Sequence, residues 1–566
     1  MQPTPTAELD RAIQTLAQNR ERWAGTGLPA RVEILERLAR DTLAVSREMG
    51  AAACRAKGID LDRPAAAEEW FGGPVTILRN VRLLAMSLRE IARKGRPKLA
   101  RGDLRRRVDG TVSARIFPME WKDGLLYSGF TADVWMEPGI SEDDVLRTMA
   151  RAYESGPRAS DGRVSLVLGA GNVASIGPMD VLYKLFNENQ VVLLKMNPVN
   201  EYLGPFIERA FKVLVDEGWL RVVYGGAEVG SYLVVHEGID NIHITGSTAV
   251  HDAIVWGPPG PAQDEAKRTG ARRTNKPITS ELGCVTPVVL VPGDWSEKEI
   301  EFQAQNVATM LANNASFNCN AAKVLVTSRD WPGRKPFLDR LEEILRALPS
   351  RKAYYPGSRG KYERFLAAHP ESKKLSAERE DAVPWTLIRD VAPDGEREIA
   401  FREEAWCGIL AETGLEARDA GEFLARATDF CNDRLWGTLS CSVIVDPKTE
   451  KRLGADFERA VADLRYGSVA INHWAGLSYG LAVTPWGAHP GHTLEDVGSG
   501  IGFVHNTLLL DRPRKSVVRG PFTVFPKPPW FVTHSGAHKV APKIAEYEGS
   551  PSVLRIPGIA AATLGG

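Results

Sequence analysis

The sequence predicts an α/β protein of two or three domains, one of them built on a doubly wound parallel sheet. Three observations lead there. At 566 residues the chain exceeds what one ordinary core can organise. From about residue 163, short apolar runs alternate with amphipathic helical segments, and such repetition requires a parallel sheet covered on both faces. Two of the apolar runs, in "VLGAGNVA" and "HITGST", end directly in glycine and small or hydroxylic residues ahead of a helix. That arrangement lets backbone N–H groups meet an anion.

In chain order, the first 95 residues read as helices. "LDRAIQTLAQNRERWA" and "RVEILERLARDTLAVSREM" carry apolar residues at 3–4 spacing with charges between. "RKGRPKLARGDLRRR" (93–107) is a basic loop, either solvated or attractive to anions. "VSARIFPMEW" and "LLYSGFTADVWMEPG" read as β-like runs joined by a "KDG" hairpin turn. "SEDDVLRTMARAYE" is a helix with Ser141 as N-cap and acids in its first turn. Then come the strand "RVSLVLGAG", the helix "PMDVLYKLFNENQ", the strand "VVLLK" and one helix over "YLGPFIERAFKVLVDEGW". "LRVVYGG", "SYLVVHEG", "NIHITGST" and "PITSELG" continue the pattern to about 283. A second unit opens near 286 with the helix "SEKEIEFQAQNVATMLANN" and the strand "KVLVT", and alternates to "YGSVAINHW". The tail from about 500 is Pro-rich and poorly periodic, which suggests a segment draped over a surface or a partner subunit.

Composition excludes several classes. Lys+Arg and Asp+Glu balance at 71 each, so global charge gives no argument for nucleic acid or membrane. No run of ~18 apolar residues suggests a membrane span, and "MQPTPTAELDRAIQ" lacks the features of a secretory signal. Six cysteines over this length do not resemble a disulfide scaffold. A cytoplasmic, reducing setting is expected, which leaves thiols free for chemistry. No metal-binding motif is evident among the ten scattered histidines.

Five places carry chemistry, each with a plain alternative. "VLGAGNVA" matches G-x-G-x-x-A between strand and helix, a weak pattern alone. The next strand should end near an acid that holds a ribose; it ends instead at Lys195, a cation suited to ribose hydroxyls or phosphate, or simply a surface lysine. Gly246, Ser247 and Thr248 form an anion cradle or an ordinary N-cap. Glu281, among apolar neighbours in "TSELG", is either salt-bridged or a base with raised proton affinity. Cys319, in "NNASFNCNAAKVLV", is a space-filler or a nucleophile presented on a tight loop.

As an ordered set, "ITGST", "ELGC", "NASFNC", "EEAWCGIL", "NDRLWGTLSCSVIVD" and "GSVAINH" resemble the aldehyde dehydrogenase superfamily over roughly residues 10–510. The resemblance implies an aldehyde dehydrogenase-like α/β fold: a Rossmann-type nucleotide-binding domain, an α/β catalytic domain and an oligomerisation arm. It assigns 1–111 and 160–285 to NAD(P) binding, 286–500 to catalysis, and 112–159 with 501–566 to a hairpin and tail mediating a homodimer or homotetramer. It implies that Cys319 attacks a small-molecule aldehyde and forms a thiohemiacetal, then a thioester. Asn172 and the Cys319 N–H would hold the oxyanion, and Glu281 would activate water. Lys195, Gly246 and Ser247 would contact the cofactor, Glu404 would grip the nicotinamide ribose, and Trp406 would pack on the ring. Pro198 stands where many NAD-preferring relatives carry Glu, so the cofactor is NAD or NADP. Cys284 and His251 replace usual glycines, and "WGPPGPAQDEAKRTGARRTNK" (256–276) is a longer, basic loop that could cover the cofactor. The alternatives on the same fold are a coenzyme-A-acylating enzyme, in which a second thiol releases the acyl group, and a non-catalytic nucleotide-binding scaffold. Trp121, Trp135, Phe317, Trp474 and Tyr479 are candidates for an aromatic substrate tunnel, or ordinary core.

Overall fold

The structure, a computed structural model, describes residues 1–154 and 162–566. The expected domain boundary between 159 and 160 lies outside the described residues.

The alternation from residue 163 forms a six-stranded sheet ordered Gly500–Ile501, Ile278–Leu282, Asn241–Gly246, Val164–Leu168, Val191–Lys195 and Leu220–Val223. Five strands are parallel; the short edge strand Gly500–Ile501 is antiparallel to Ile278–Leu282. Val164–Leu168 and Val191–Lys195 are buried throughout, as a sheet covered on both faces requires. The N-terminal helix Thr6–Ala24 packs on three of these strands, and its Leu9, Ile13 and Leu16 join their core.

A second, eleven-stranded sheet runs Leu104–Arg106, Val112–Phe117, Thr131–Met136, Pro513–Arg519, Ser468–Ile471, Ser440–Ile444, Pro287–Leu290, Val324–Ser328, Ile409–Leu415, Thr386–Ile388, Lys373–Lys374. The strands from Pro513–Arg519 through Thr386–Ile388 are parallel, and the others are antiparallel. The strands of the expected arm therefore pair, within this chain, with the expected catalytic unit.

Several local expectations are corrected. Lys122, Asp123 and Gly124 do not turn a hairpin; they lie in the helix Trp121–Leu126. Asp123 is buried against Arg79 at 3.3 Å, and that tertiary ion pair outweighs the local turn preference. The strand after it is Thr131–Met136, without "LLYSG". The basic segment contains a short strand, Leu104–Arg106, paired with Val112–Phe117. The single helix expected over "YLGPFIERAFKVLVDEGW" is divided into Gly204–Ala210 and Lys212–Asp216. Residues 256–276 include the helix Pro261–Thr269.

The tail is more ordered than its composition suggests: it supplies the strand Pro513–Arg519 and the helices Ala537–Gly549 and Ile556–Leu564. Glu548 anchors it. From the helix Ala537–Gly549 its buried carboxylate accepts from Arg79 at 2.8 Å and Arg82 at 2.7 Å, both buried on the helix Thr76–Lys94. Burial alone would raise the proton affinity of Glu548, but Arg82 and Arg79 hold it below the usual carboxylate value. Removing one partner of such a buried set leaves an uncompensated charge. Among the described residues no helix is long and apolar enough to cross a membrane.

Candidate active site

The helix Glu297–Ala312 begins at a capping box, Ser296 with Glu299, and ends in a turn that presents Cys319. Asn314, Ala315 and Ser316 have φ of 53°, 53° and 69°. Three successive non-glycine residues in the left-handed region cost roughly 1–2 kcal/mol each, so the surroundings must hold the turn. Asn314 shares its amide between the carbonyls of Asn172 (3.0 Å) and Phe317 (3.1 Å) and Asn318 Oδ1 (3.0 Å). Its Oδ1 accepts from Lys57 and the Tyr354 hydroxyl, both at 2.9 Å. Lys323 donates to the carbonyl and hydroxyl of Ser316 at 3.1 Å. The product of this bracing is a sulfur with access: Cys319 is partly exposed, whereas the other five cysteines are buried.

Two cavities meet at that sulfur. The larger, of about 730 Å³, is lined by the ends of the strands Val191–Lys195 and Asn241–Gly246 and by the loops around Glu281 and Glu404. The smaller, of about 330 Å³, lies on the side of the tail. Cys319, Asn172 and Ile176 border both. The eight residues expected to be catalytic or to bind the cofactor all line the larger one: Cys319, Glu281 and Asn172, with Lys195, Gly246, Ser247, Glu404 and Trp406.

Glu281 sits on the buried strand Ile278–Leu282, beside Thr245 on the neighbouring strand. Burial raises its pKa to about 8, helped by the charge of Asp180; the Cys319 thiol and the Trp486 indole pull the other way. Its Oε1 is buried without a hydrogen-bond partner among the described residues. Burial, then the charges of Glu281 and Glu404, hold the Cys319 thiol well above its ordinary range. The resting pair is a neutral thiol facing a carboxyl group that titrates near neutrality. The strand-end alternative for Glu281, a salt bridge, is not realised among the described residues. Asn172 commits one amide hydrogen to the Phe317 carbonyl at 3.0 Å, and its own carbonyl is fixed by Lys57 and Asn314 at 3.0 Å and Tyr354 at 3.1 Å.

Farther out, polar groups stand ready for a ligand. Burial brings the Lys195 ammonium down to about 8, against the opposing effect of Glu201, and it makes no ion pair among the described residues. Ser247 is the N-cap of Thr248–Val255, accepting from Val250 N–H at 3.4 Å, and lines the cavity as well. The N-cap reading of that junction is realised, and Gly246 and Ser247 also line the cavity. Burial raises Glu404 to about 7 despite the lysines 323 and 361. Glu404 Oε1 and Trp406 Nε1 are buried without partners among the described residues. A Cβ on Gly283 would lie 2.2 Å from Glu404 Oε2, so that glycine makes room for the carboxylate.

Departures from the expected pattern are absorbed locally. Cys284 is buried, its sulfur 3.1 Å from Thr286 Oγ1, and a Cβ on Gly437 would come within 2.6 Å of its Cβ. His251 is buried on Asp252. From the 256–276 segment, Pro258, Pro259 and Arg273 reach the larger cavity. Of the tunnel candidates, Trp474 and Tyr479 line the smaller cavity. Phe317 and Trp135 do not and are buried; Trp121 does not and is 64% exposed. Phe317 and Trp135 thus follow the ordinary-core alternative, and Trp121 is corrected to surface. Sequence reasoning missed Asp180, whose only signal was an acid in a helix's first turn, and Tyr355 and Lys361, which carry no motif yet line the larger cavity.

Residues 182–355 match the aldehyde dehydrogenase family. Over 164 residues the chain is 26% identical to an N-succinylglutamate 5-semialdehyde dehydrogenase of Novosphingobium aromaticivorans, covering 29% of this chain and 31% of that protein. The chain thus aligns with about a third of that relative's length. Two solved structures share the fold: the γ-glutamyl-γ-aminobutyraldehyde dehydrogenase of Burkholderia cenocepacia J2315 (TM-score 0.61, 18% identity, 91% and 89% of the two chains), and the glyceraldehyde-3-phosphate dehydrogenase GapN of Methanocaldococcus jannaschii complexed with NADP (TM-score 0.59, 14% identity, 92% and 95%).

Proposed function

We propose that the chain, whose residues 182–355 match the aldehyde dehydrogenase family, oxidises an aldehyde to its carboxylic acid with NAD or NADP, through a thioester on Cys319. The observation that carries this is the position of one accessible sulfur where two cavities meet, facing the Glu281 carboxyl. One cavity can hold an oxidant and the other a carbonyl compound, with the nucleophile between them.

The larger cavity fits a nicotinamide dinucleotide. Lys195 offers an unpaired ammonium, Ser247 and Gly246 a helix mouth, and Glu404 a buried oxygen that lacks a partner among the described residues. Lys195 and the helix mouth would take ribose and phosphate, and Glu404 the nicotinamide ribose. Pro198 puts no carboxylate against a 2′-phosphate, so both cofactors are admitted. When bound, the nicotinamide supplies a hydride acceptor.

The chain's residues do the rest. Glu281, as carboxylate, takes the Cys319 proton, and the sulfur bonds to the carbonyl carbon. The new oxyanion is held by Asn172 Nδ2 and by the Cys319 N–H, which makes no backbone hydrogen bond among the described residues. Loss of hydride leaves the thioester. Once Glu281 has released that proton to solvent, its carboxylate takes a proton from water as the water oxygen adds to the acyl carbon; the C–S bond breaks, the sulfur regains a proton from Glu281, and the acid departs. A base at this place supports hydrolysis over transfer to a second thiol. The test follows cofactor reduction with an aldehyde panel, with and without coenzyme A. Full rate without coenzyme A is expected, and an absolute need for it would overturn hydrolytic release. Absence of turnover with both cofactors and every aldehyde would overturn the whole reading.

A further inference from the structure

Resting on that reading, we infer that the substrates are uncharged aldehydes bearing an apolar substituent, alkyl or aromatic, admitted through the smaller cavity. That cavity starts at Cys319 and Asn172 and ends at Leu125 and Phe525, which are 57% and 89% exposed. A path from sulfur to solvent therefore has an apolar mouth. Part of its wall comes from the tail, where Val524, Ile544 and Ile559 line it together with Phe71, Trp474 and Tyr479.

The charges decide the class. Four ionisable acids and bases with full charge line the cavity, and each is already paired. Lys57 binds Glu69 at 2.8 Å. Glu68 binds Arg351 at 2.9 Å and the Asn314 N–H at 2.9 Å. Glu548 is held by Arg79 and Arg82. Among the described residues this cavity offers no free cation for a substrate carboxylate and no free carboxylate for an amine. Bringing a charged substituent there would strip its water with no counter-ion in return. The buried polar atoms of this lining without partners among the described residues, Trp530 Nε1 and Asn320 Oδ1, are neutral; they suit a hydroxyl or ether oxygen and not an ion. An alkyl or aryl group, by contrast, gains by leaving water along the whole path.

The test compares kcat/KM for octanal and benzaldehyde with succinic semialdehyde and 4-aminobutanal, in the full chain with saturating cofactor. A preference of about 100-fold or more for the neutral pair is expected. Phe525→Asp, at an exposed position, should lower kcat/KM for octanal about tenfold and that for propanal less. Equal or better turnover of either charged aldehyde would overturn the inference. Binding of octanamide and succinamate, followed by tryptophan fluorescence, separates this inference from the reaction itself. If no aldehyde reduces cofactor yet octanamide binds and Phe525→Asp weakens it, the oxidation reading fails and the cavity assignment stands. If octanamide does not bind, or succinamate binds as tightly, the assignment is wrong whatever the reaction.

Discussion

The two cavities that meet at Cys319 are finished in opposite ways. On the larger side, polar groups remain open: Glu404 Oε1 and Trp406 Nε1 lack partners among the described residues, and Lys195 lacks a counter-ion. On the smaller side, every full charge is closed by another. Leaving a buried polar atom unpaired is costly in an empty protein, and the cost is recovered only when a ligand brings the missing partner. Open ionisable groups therefore mark the place of a polar ligand of fixed structure, while saturated charges, with only the neutral Trp530 Nε1 and Asn320 Oδ1 left open among the buried atoms described, mark a passage that sorts by exclusion.

Cys319→Ala gives the largest effect. It should lower kcat by at least about 10³-fold and leave cofactor affinity within about twofold, because the sulfur borders the larger cavity without holding its ligand. Retained turnover would break the comparison at its centre. Glu281→Gln comes next, with a fall in kcat of about 10²-fold, and single-turnover measurements should show both cofactor reduction and acid release slowed, because the carboxylate serves both steps. The same substitution should stabilise the protein. The folded-state pKa is raised from 4.5 to about 8, so the fold prefers the protonated form, and wild type loses stability as pH climbs between those values. Thermal melts should show the gain of Glu281→Gln growing from pH 5 and levelling above pH 8, on the order of 5 kcal/mol at the limit. A gain that shrinks with rising pH would contradict the burial argument.

Lys195→Gln sharpens the division between the two sides. Cofactor Kd, measured by nucleotide fluorescence, should rise about tenfold, with the KM for aldehyde at saturating cofactor little changed. A matching rise in aldehyde KM would mean that the two cavities are not independent.

The same division governs what the sequence discloses. Lys195, Glu281 and Cys319 stand out in the sequence because each proposed chemistry asks for one residue type at one kind of backbone position, a strand end or a tight loop, whereas Glu404 stands out only through the family resemblance of "EEAWCGIL". The alternating segment around them was legible because a sheet covered on both faces imposes apolar runs. The passage on the other side was not. Its walls come from Phe71, Leu125, Trp474 and the tail, hundreds of residues apart, and nothing local marks Phe317 as core or Trp121 as surface. The helix Ala537–Gly549 carries Pro542 in its interior, a residue that argues against helix from sequence alone; its hold on Arg79 and Arg82 through Glu548 is a tertiary fact.

Asp180 gives the smallest expected effect, on the boundary between these categories. Thr245 lies beside Glu281 in the parallel pair, as His243 lies beside Thr279. Paired residues, and those two positions along, project from one face of the sheet, and Asp180 from the helix Ile176–Leu182 packs there. Thr245 Oγ1 donates to Asp180 Oδ2 at 3.2 Å, and His243 Nε2 is 3.6 Å from Oδ1. The carboxylate touches neither cavity, so any effect on catalysis must pass through Glu281, whose proton affinity it raises after burial. Catalysis needs Glu281 ionised, so the rate should climb as pH rises through about 8. Asp180→Asn removes a negative neighbour and should move that limb to lower pH, raising kcat roughly threefold at pH 7, with the plateau at high pH unchanged. Asp180→Glu, which keeps the charge, should leave the limb in place. A purely structural role would lower the plateau in both variants and leave the position of the limb untouched.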